Sequence, residues 1–205
     1  MTPPLPPAIA FYDREAEALA KAYDAIDFDK LHGLLLPFLP KEGRVLDVGA
    51  GSGRDARALA DRGLEVVAVE PSRAMRREAA RHPPSPKIQW KDDRLPELAT
   101  IPEDPSFSLI LVSAVWMHLP PLTRDEALKR LARLLLPEGH LYLTFRSVSD
   151  DPDRGMAPVS LPETIRCARQ CGLSLLVSNT SEDLLGRSGI SWSALLFRNI
   201  PSLKP

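Results

Sequence analysis

The chain has 205 residues, 44% of them apolar, enough to bury one sizeable core, and 26 basic side chains against 27 acidic ones leave a net charge of −1. That balance excludes the global basic field of a typical nucleic-acid or anionic-membrane binder. No secretory leader pattern opens the chain and no apolar run is long enough to cross a bilayer, while Cys167 and Cys171 lack a second pair of zinc ligands; reduced thiols in a cytoplasmic protein are expected.

The opening MTPPLPP lacks the backbone donors that would pin it, so residues 1–7 are expected to be flexible. From Ala8 to Leu39 two helical patterns follow, broken near Ile26 to Asp29, with Asp29 as the expected cap of the second. The period then changes. RVLDVGA is a short apolar run bounded by turn residues, the pattern of a strand buried on both faces. Arg54 to Arg62 reads as a helix stopped by Gly63, LEVVAVE as a second strand, and Ser72 as the cap of a helix through Arg81. KIQWK is a third strand and FSLILVSAV a fourth. Thr123 is the expected cap of a helix to about Leu136, and GHLYLTFR is a fifth strand. After a loop from Ser147 to Ser160, a helix from Leu161 to Cys171 stops at Gly172, and the strands LSLLVSN and SWSALLFRN close the chain.

Strands alternating with helices predict right-handed crossovers and a parallel sheet covered on both faces. The last two strands are separated by a loop of only about ten residues, too short for a parallel crossover, so the final strand is expected to run antiparallel. The expected fold class is α/β: one doubly wound, Rossmann-like sheet of seven strands, mostly parallel, over residues 41–200, with residues 8–40 helical and 201–205 a tail.

In such a sheet ligands sit beyond the carboxyl ends of the strands, where the strand order reverses. The first strand ends at Gly49, so GAGSG falls there, and Gly49, Gly51 and Gly53 allow a sharp turn and close approach of a ligand to backbone. Asp47 and Arg54 bracket the loop with side chains suited to an amino group and a carboxylate. The dinucleotide fingerprint requires glycine where this chain has Arg54, which argues against a nicotinamide or flavin. Glu70 ends the second strand about 20 residues after Gly49, where an acid accepts both hydroxyls of a ribose.

With these features the chain resembles the class I S-adenosylmethionine-dependent methyltransferases along nearly its whole length. VLDVGAGSGRD is similar to their first motif, VVAVEPS to the second and KDDRLPEL to the acidic loop after the third strand. FSLILVSAVWMHL and LLLPEGHLYLTFR are similar to the fourth-strand and fifth-strand segments. The chain departs from the family pattern at Ser108, often aspartate, and at Pro137-Glu138-Gly139, usually Pro-Gly-Gly. The resemblance implies that Asp47, Gly49, Gly51 and Gly53 line the methionine end of the cofactor, with Ala50, Arg54 and Pro71 completing the cofactor set. It also implies that Glu70 takes the ribose, that Asp93 or its neighbour Asp92 holds the adenine amino group, and that the backbone near Ser113 flanks the sulfur. S-adenosylhomocysteine would be the product, and no metal is implied. Residues 8–40 would form a lid carrying Tyr12 and Tyr23.

Methyl transfer from a sulfonium is an in-line displacement, so the protein must orient the nucleophile and, where needed, take its proton. His118, shortly after the fourth strand, is the candidate base; a helix cap or a packed core residue is the alternative. Arg146 ends the fifth strand, and an antiparallel last strand brings Arg187 and Trp192 to the same edge. Two arginines converging there would hold an anionic group. The resulting expectation is methyl transfer to a small, anionic molecule, with no membrane involved and the oligomeric state open. The alternatives are a nucleic-acid or protein methyltransferase and a cofactor-binding protein without catalysis. The Asp/Asn-Pro-Pro-Tyr and Pro-Cys motifs of DNA-modifying members are absent.

Overall fold

In the computed structural model, which describes residues 6–147, 151–183 and 189–200, the apolar runs become seven strands of one sheet. These are β1 (Arg44–Val48), β2 (Glu65–Val69), β3 (Ile88–Lys91), β4 (Phe107–Ser113), β5 (Leu135–Arg146), β6 (Leu173–Glu182) and β7 (Ser191–Asn199). The order is β3-β2-β1-β4-β5-β7-β6. Neighbours from β3 through β5 are parallel, and β7 runs antiparallel to both β5 and β6, as the short final connection requires. The order reverses between β1 and β4, so a crevice opens at their carboxyl ends.

Helices α1 (Pro7–Asp24), α2 (Phe28–Leu31), α3 (Arg54–Asp61), α4 (Arg73–Ala79), α5 (Arg124–Leu134) and α6 (Leu161–Gln170) accompany the sheet. Alternate residues of each strand feed opposite cores. Leu46, Val67, Ile110 and Leu141 pack with α5 and α6, whereas Val45, Val66, Leu109, Leu111 and Tyr142 pack with α3 and the segment around Phe28 and Leu35. A third cluster joins α1 to α4 through Ala16 and Ala20 against Ala74 and Met75.

Several boundaries differ from expectation. The cap of α2 is Asp27, whose Oδ1 accepts the Lys30 N–H at 2.9 Å, in place of Asp29. The second N-terminal helix is a single turn followed by a 3-10 turn at Leu36–Phe38, because Gly33 and Pro37 interrupt it. Ser72 caps α4 by accepting the Met75 N–H at 3.1 Å, but the helix ends at Ala79. Thr123 precedes α5 without capping it, since its hydroxyl donates to the Pro120 carbonyl. Helix α5 stops at Leu134 because Leu135 already pairs with Phe107 in the sheet. The opening residues 1–5, the tail 201–205 and Arg187 lie outside the described residues.

Leu111 is fully buried at the centre of β4, between β1 and β5. Leu111→Ala should cost about 2–5 kcal/mol of stability, the scale for truncating a buried leucine. Urea denaturation would register this as a lower midpoint at unchanged slope.

Candidate functional site

The end of β1 leads into a loop whose backbone is tied to β2. Gly49 and Ala50 both donate to the Val69 carbonyl, at 2.8 and 2.9 Å. Gly49 has a φ of +73°, and a Cβ there would stand 2.3 Å from Val115 Cγ2 after β4, so no other residue fits. The Gly51 N–H donates to Glu70 Oε2 at 2.8 Å, and the Ser72 N–H donates to Glu70 Oε1 at 2.7 Å. Glu70 is 6% exposed. Burial pushes its carboxyl up to about 7, against the opposing pull of these two backbone donors and of Arg76.

Three members of the expected cofactor set, Asp47, Gly53 and Asp92, are not on the cavity wall. Gly53 does not line the cavity; its φ of +80° starts α3, and a Cβ would meet Trp90 at 2.9 Å, so its bareness serves packing. Arg54 is on the wall, but its fork is committed to Asp55, with Nε–Oδ1 at 2.7 Å and Nη2–Oδ2 at 3.0 Å, and Nη1 donates to the Tyr23 carbonyl. Asp92 is exposed and paired with Arg76 at 2.6 Å, outside the cavity wall. Its neighbour Asp93 is on the wall, where Thr100 and the Arg94 N–H donate to its carboxylate. Those bonds outweigh burial and hold it below its ordinary range.

Asp47 sits behind the loop, 1% exposed, and its Oδ2 has no hydrogen-bond partner. Burial first, and then the facing Asp55, raise its carboxyl well above the usual range. Asp55 is held low despite its own burial, because His32 Nε2 lies 3.0 Å away and the Arg54 fork embraces it. Ser113 lines the cavity with its Oγ 3.3 Å from Thr144 Oγ1.

Past β4, a 3-10 turn at Trp116–His118 presents His118. Its Nδ1 lies 3.1 Å from the Arg154 carbonyl, which can only accept, so Nδ1 carries the proton. Nε2 is then an acceptor, and the Tyr12 hydroxyl of α1 donates to it at 3.2 Å. Burial pushes the imidazole down to about 4, with the Arg154 and Arg146 charges adding to the effect and backbone carbonyls opposing it. The phenol of Tyr12 is raised well above its usual range by burial and then by Tyr23. Arg146 is buried on the same wall and donates to Met156 Sδ at 2.9 Å; Trp192 Nε1 donates to Asp183 Oδ1 at 2.8 Å. Tyr23 and Pro71 complete the wall.

One cavity of about 920 Å³ joins these groups, running from Glu70 and Asp93 to His118, Arg146 and Trp192. Sequence reasoning missed three of the residues that shape it. Arg154 lies on the wall, in a loop whose Asp, Pro and Gly content signals only turns. Asp13 and Asp24 fasten α1 to α4, α3 and the glycine loop. Asp13 Oδ1 accepts from Ser72 Oγ at 2.7 Å and the Ala74 N–H at 3.0 Å, and Asp24 accepts from Ser52 Oγ and Arg57 and contacts His82 Nε2 at 2.9 Å. Among the described residues no group of three or more His, Cys, Asp or Glu could hold a metal ion, and no helix is long and apolar enough to cross a membrane.

A family model described as a methyltransferase domain matches residues 11–198. An uncharacterized methyltransferase of Geobacillus kaustophilus is 31% identical over 140 residues, covering 68% of this chain and 63% of that protein. The chain spans 46% and 63% of the lengths of the first two curated relatives it matches. Among solved structures, a Burkholderia thailandensis 1,6-didemethyltoxoflavin-N1-methyltransferase with bound 1,6-didemethyltoxoflavin and S-adenosylhomocysteine superposes with a TM-score of 0.74. That match has 18% identity and covers 98% of this chain and 93% of the other. The [4+2]-cyclase SpnF superposes at 0.73, with 15% identity and 98% of each chain covered. Such distant likenesses establish the fold, and the domain match establishes descent: the chain belongs to the methyltransferase-domain family, with the sheet order and glycine loop of its class I S-adenosylmethionine-dependent members.

Proposed function

We propose that this chain transfers the methyl group of S-adenosylmethionine to a small-molecule acceptor. One observation carries the reading: a single cavity of about 920 Å³ connects the Gly49–Gly51 and Glu70 wall to the His118 wall. That volume suits a cofactor and a small acceptor together, within the usual range of about 300–1,000 Å³ for small-molecule sites.

The residues present fit the cofactor. Glu70 offers a buried carboxylate at the end of β2 for the ribose hydroxyls, Asp93 stands on the same wall to take the adenine amino group, and Gly49 to Gly51 give a bare backbone for close approach. Bound there, the cofactor supplies an electrophilic methyl on a positively charged sulfur. Ser113 and Ala114 flank the space between the two walls. His118 takes the proton of the acceptor's O–H or N–H at Nε2, the atom to which the Tyr12 hydroxyl now donates much as an acceptor would. Tyr12 and Tyr23 close the cavity from α1 and exclude water.

A second reading, a cofactor-binding fold that performs other chemistry, is favoured by the likeness to a cyclase. A screen with radiolabelled cofactor across metabolite acceptors separates the two, because methyl transfer yields a labelled product and S-adenosylhomocysteine. Cofactor binding without either product in any acceptor class would support the second.

Glu70 makes cofactor binding pH-dependent. Its carboxyl sits at about 7, and the ribose hydroxyls need the ionised form as acceptor. Affinity for S-adenosylmethionine should therefore rise as pH increases through 7 and level off above it. Glu70→Gln should abolish that step and weaken binding by about 1.5–3 kcal/mol, the scale of hydrogen bonds to a charged group. Unfolding of the free protein should show the opposite trend. A carboxyl raised from 4.5 to about 7 contributes stability at low pH that is lost as pH rises through 7.

His118 predicts a separate limb. With the imidazole at about 4, the rate at saturating cofactor should stay level down to about pH 5 and fall below it. His118→Ala should lower kcat by ~100-fold or more, the usual scale for a general base, while leaving cofactor affinity unchanged by calorimetry.

A further inference from the structure

We propose that the methyl acceptor is an apolar molecule bearing one carboxylate or phosphate, and that Arg154 is the residue that selects it; this rests on the methyl-transfer reading above. Arg154 ends a 3-10 turn at Pro152–Arg154 and lies on the cavity wall. Its backbone is held in advance of any ligand. Asp151 and Met156 exchange N–H···O bonds at 3.0 and 2.8 Å, Asp151 Oδ1 accepts the Arg154 N–H, and the Ala157 N–H donates to the Met117 carbonyl at 2.9 Å. The guanidinium lies 4.7 Å over the Phe11 ring of α1.

Among the described residues nothing neutralises this charge. Nε of Arg154 is buried without an acceptor, and among the described residues Arg154 forms no ion pair. The buried or half-buried carboxylates on the cavity wall are engaged elsewhere. Asp55 holds Arg54 and His32, Glu70 holds two backbone donors, Asp93 holds Thr100 and the Arg94 N–H, and Asp183 accepts from Trp192. The remaining two, Glu97 and Glu182, are exposed to water. Arg146 adds a second positive charge on the same wall, and both arginines bear on His118.

An arginine in a largely apolar cavity without a counter-ion is costly, and an incoming anion relieves the cost. The planar fork of arginine matches carboxylate and phosphate bidentately, which an ammonium cannot reproduce. Ile9, Met117, Met156 and Trp192 on the wall suit an apolar body. A neutral analogue would leave the guanidinium unpaired, so discrimination comes from that penalty as well as from attraction. The Arg154 carbonyl also orients His118 through Nδ1, so an anion on the same residue sets the acceptor beside Nε2.

The test is calorimetry on the full chain loaded with S-adenosylhomocysteine, titrated with benzoate and phenyl phosphate and, as neutral controls, benzamide and benzyl alcohol. Wild type should bind at least one anion at least about tenfold more tightly than its neutral counterpart, the scale of an ionic hydrogen bond. Arg154→Gln should remove the preference, Arg154→Lys should restore only part of it, and neither should change S-adenosylhomocysteine affinity more than about threefold. That unchanged affinity also certifies that the variants fold. Equal or undetectable binding of anion and neutral probe by loaded wild type overturns the proposal, as does a preference that survives in Arg154→Gln. A parallel loss of S-adenosylhomocysteine affinity in that variant would assign the guanidinium to the cofactor and overturn it too. Failure of wild type to bind S-adenosylhomocysteine is a different result: it defeats the methyl-transfer reading and this proposal with it.

Discussion

A buried carboxylate at the end of β2 ties the site together. Removing Glu70 from water would cost several kcal/mol if its oxygens went unmet, and the two N–H groups of Gly51 and Ser72 meet one oxygen each. These bonds fasten the glycine loop after β1 to the crossing from β2 into α4. Ser72 then passes the order onward. Its N–H serves Glu70, its Oγ accepts the Met75 N–H that starts α4, and the same hydroxyl donates to Asp13 of α1. Tyr12, beside Asp13 on α1, reaches His118. Glu70 and His118, far apart on the cavity wall, are thus linked by hydrogen bonds to two adjacent residues of α1, Asp13 and Tyr12.

Beneath the loop a second polar group is arranged around Asp55. Arg54 supplies the positive charge and His32 a ring nitrogen 3.0 Å away, while Asp47, without a partner for Oδ2, is left with its carboxyl raised. Two acids facing each other in a dry interior cannot both ionise cheaply, and the better-solvated charge pair falls to Asp55. Asp47 is thereby left behind the glycine loop with Oδ2 unpartnered. Asp24 plays a comparable part at the far end of α1, gathering Ser52, Arg57 and His82. Fastened at Asp13 and at Asp24, α1 lays its apolar side on α4 and brings Tyr12 and Tyr23 to the cavity wall.

Much of this was legible in the sequence because it depends on local pattern. Continuous apolar runs bounded by turn residues have to be strands covered on both faces, and a final connection without a helix has to be antiparallel. Gly49 and Glu70 were legible for the same reason: a bare turn and an acid at the ends of adjacent strands are neighbours in any doubly wound sheet. The boundaries that moved, such as α5 ending at Leu134, moved because a strand pairing with Phe107 outweighs helix propensity at Leu135.

The sequence by itself determined the alternation of strands and helices, the antiparallel last strand and the glycine loop at the end of β1, since these follow from local pattern along the chain, and its motifs carried the family resemblance. Which side chains face the cavity was decided by the tertiary structure. Arg54 stays on the wall with its fork committed to the acid beside it, Asp92 is drawn away by Arg76 from a different element, and Gly53 is packed against an aromatic ring on β3. Arg154 was brought forward by a loop with no periodicity to reveal it. Competition among charged partners distant in sequence sets those outcomes, and it exists only once the chain has folded.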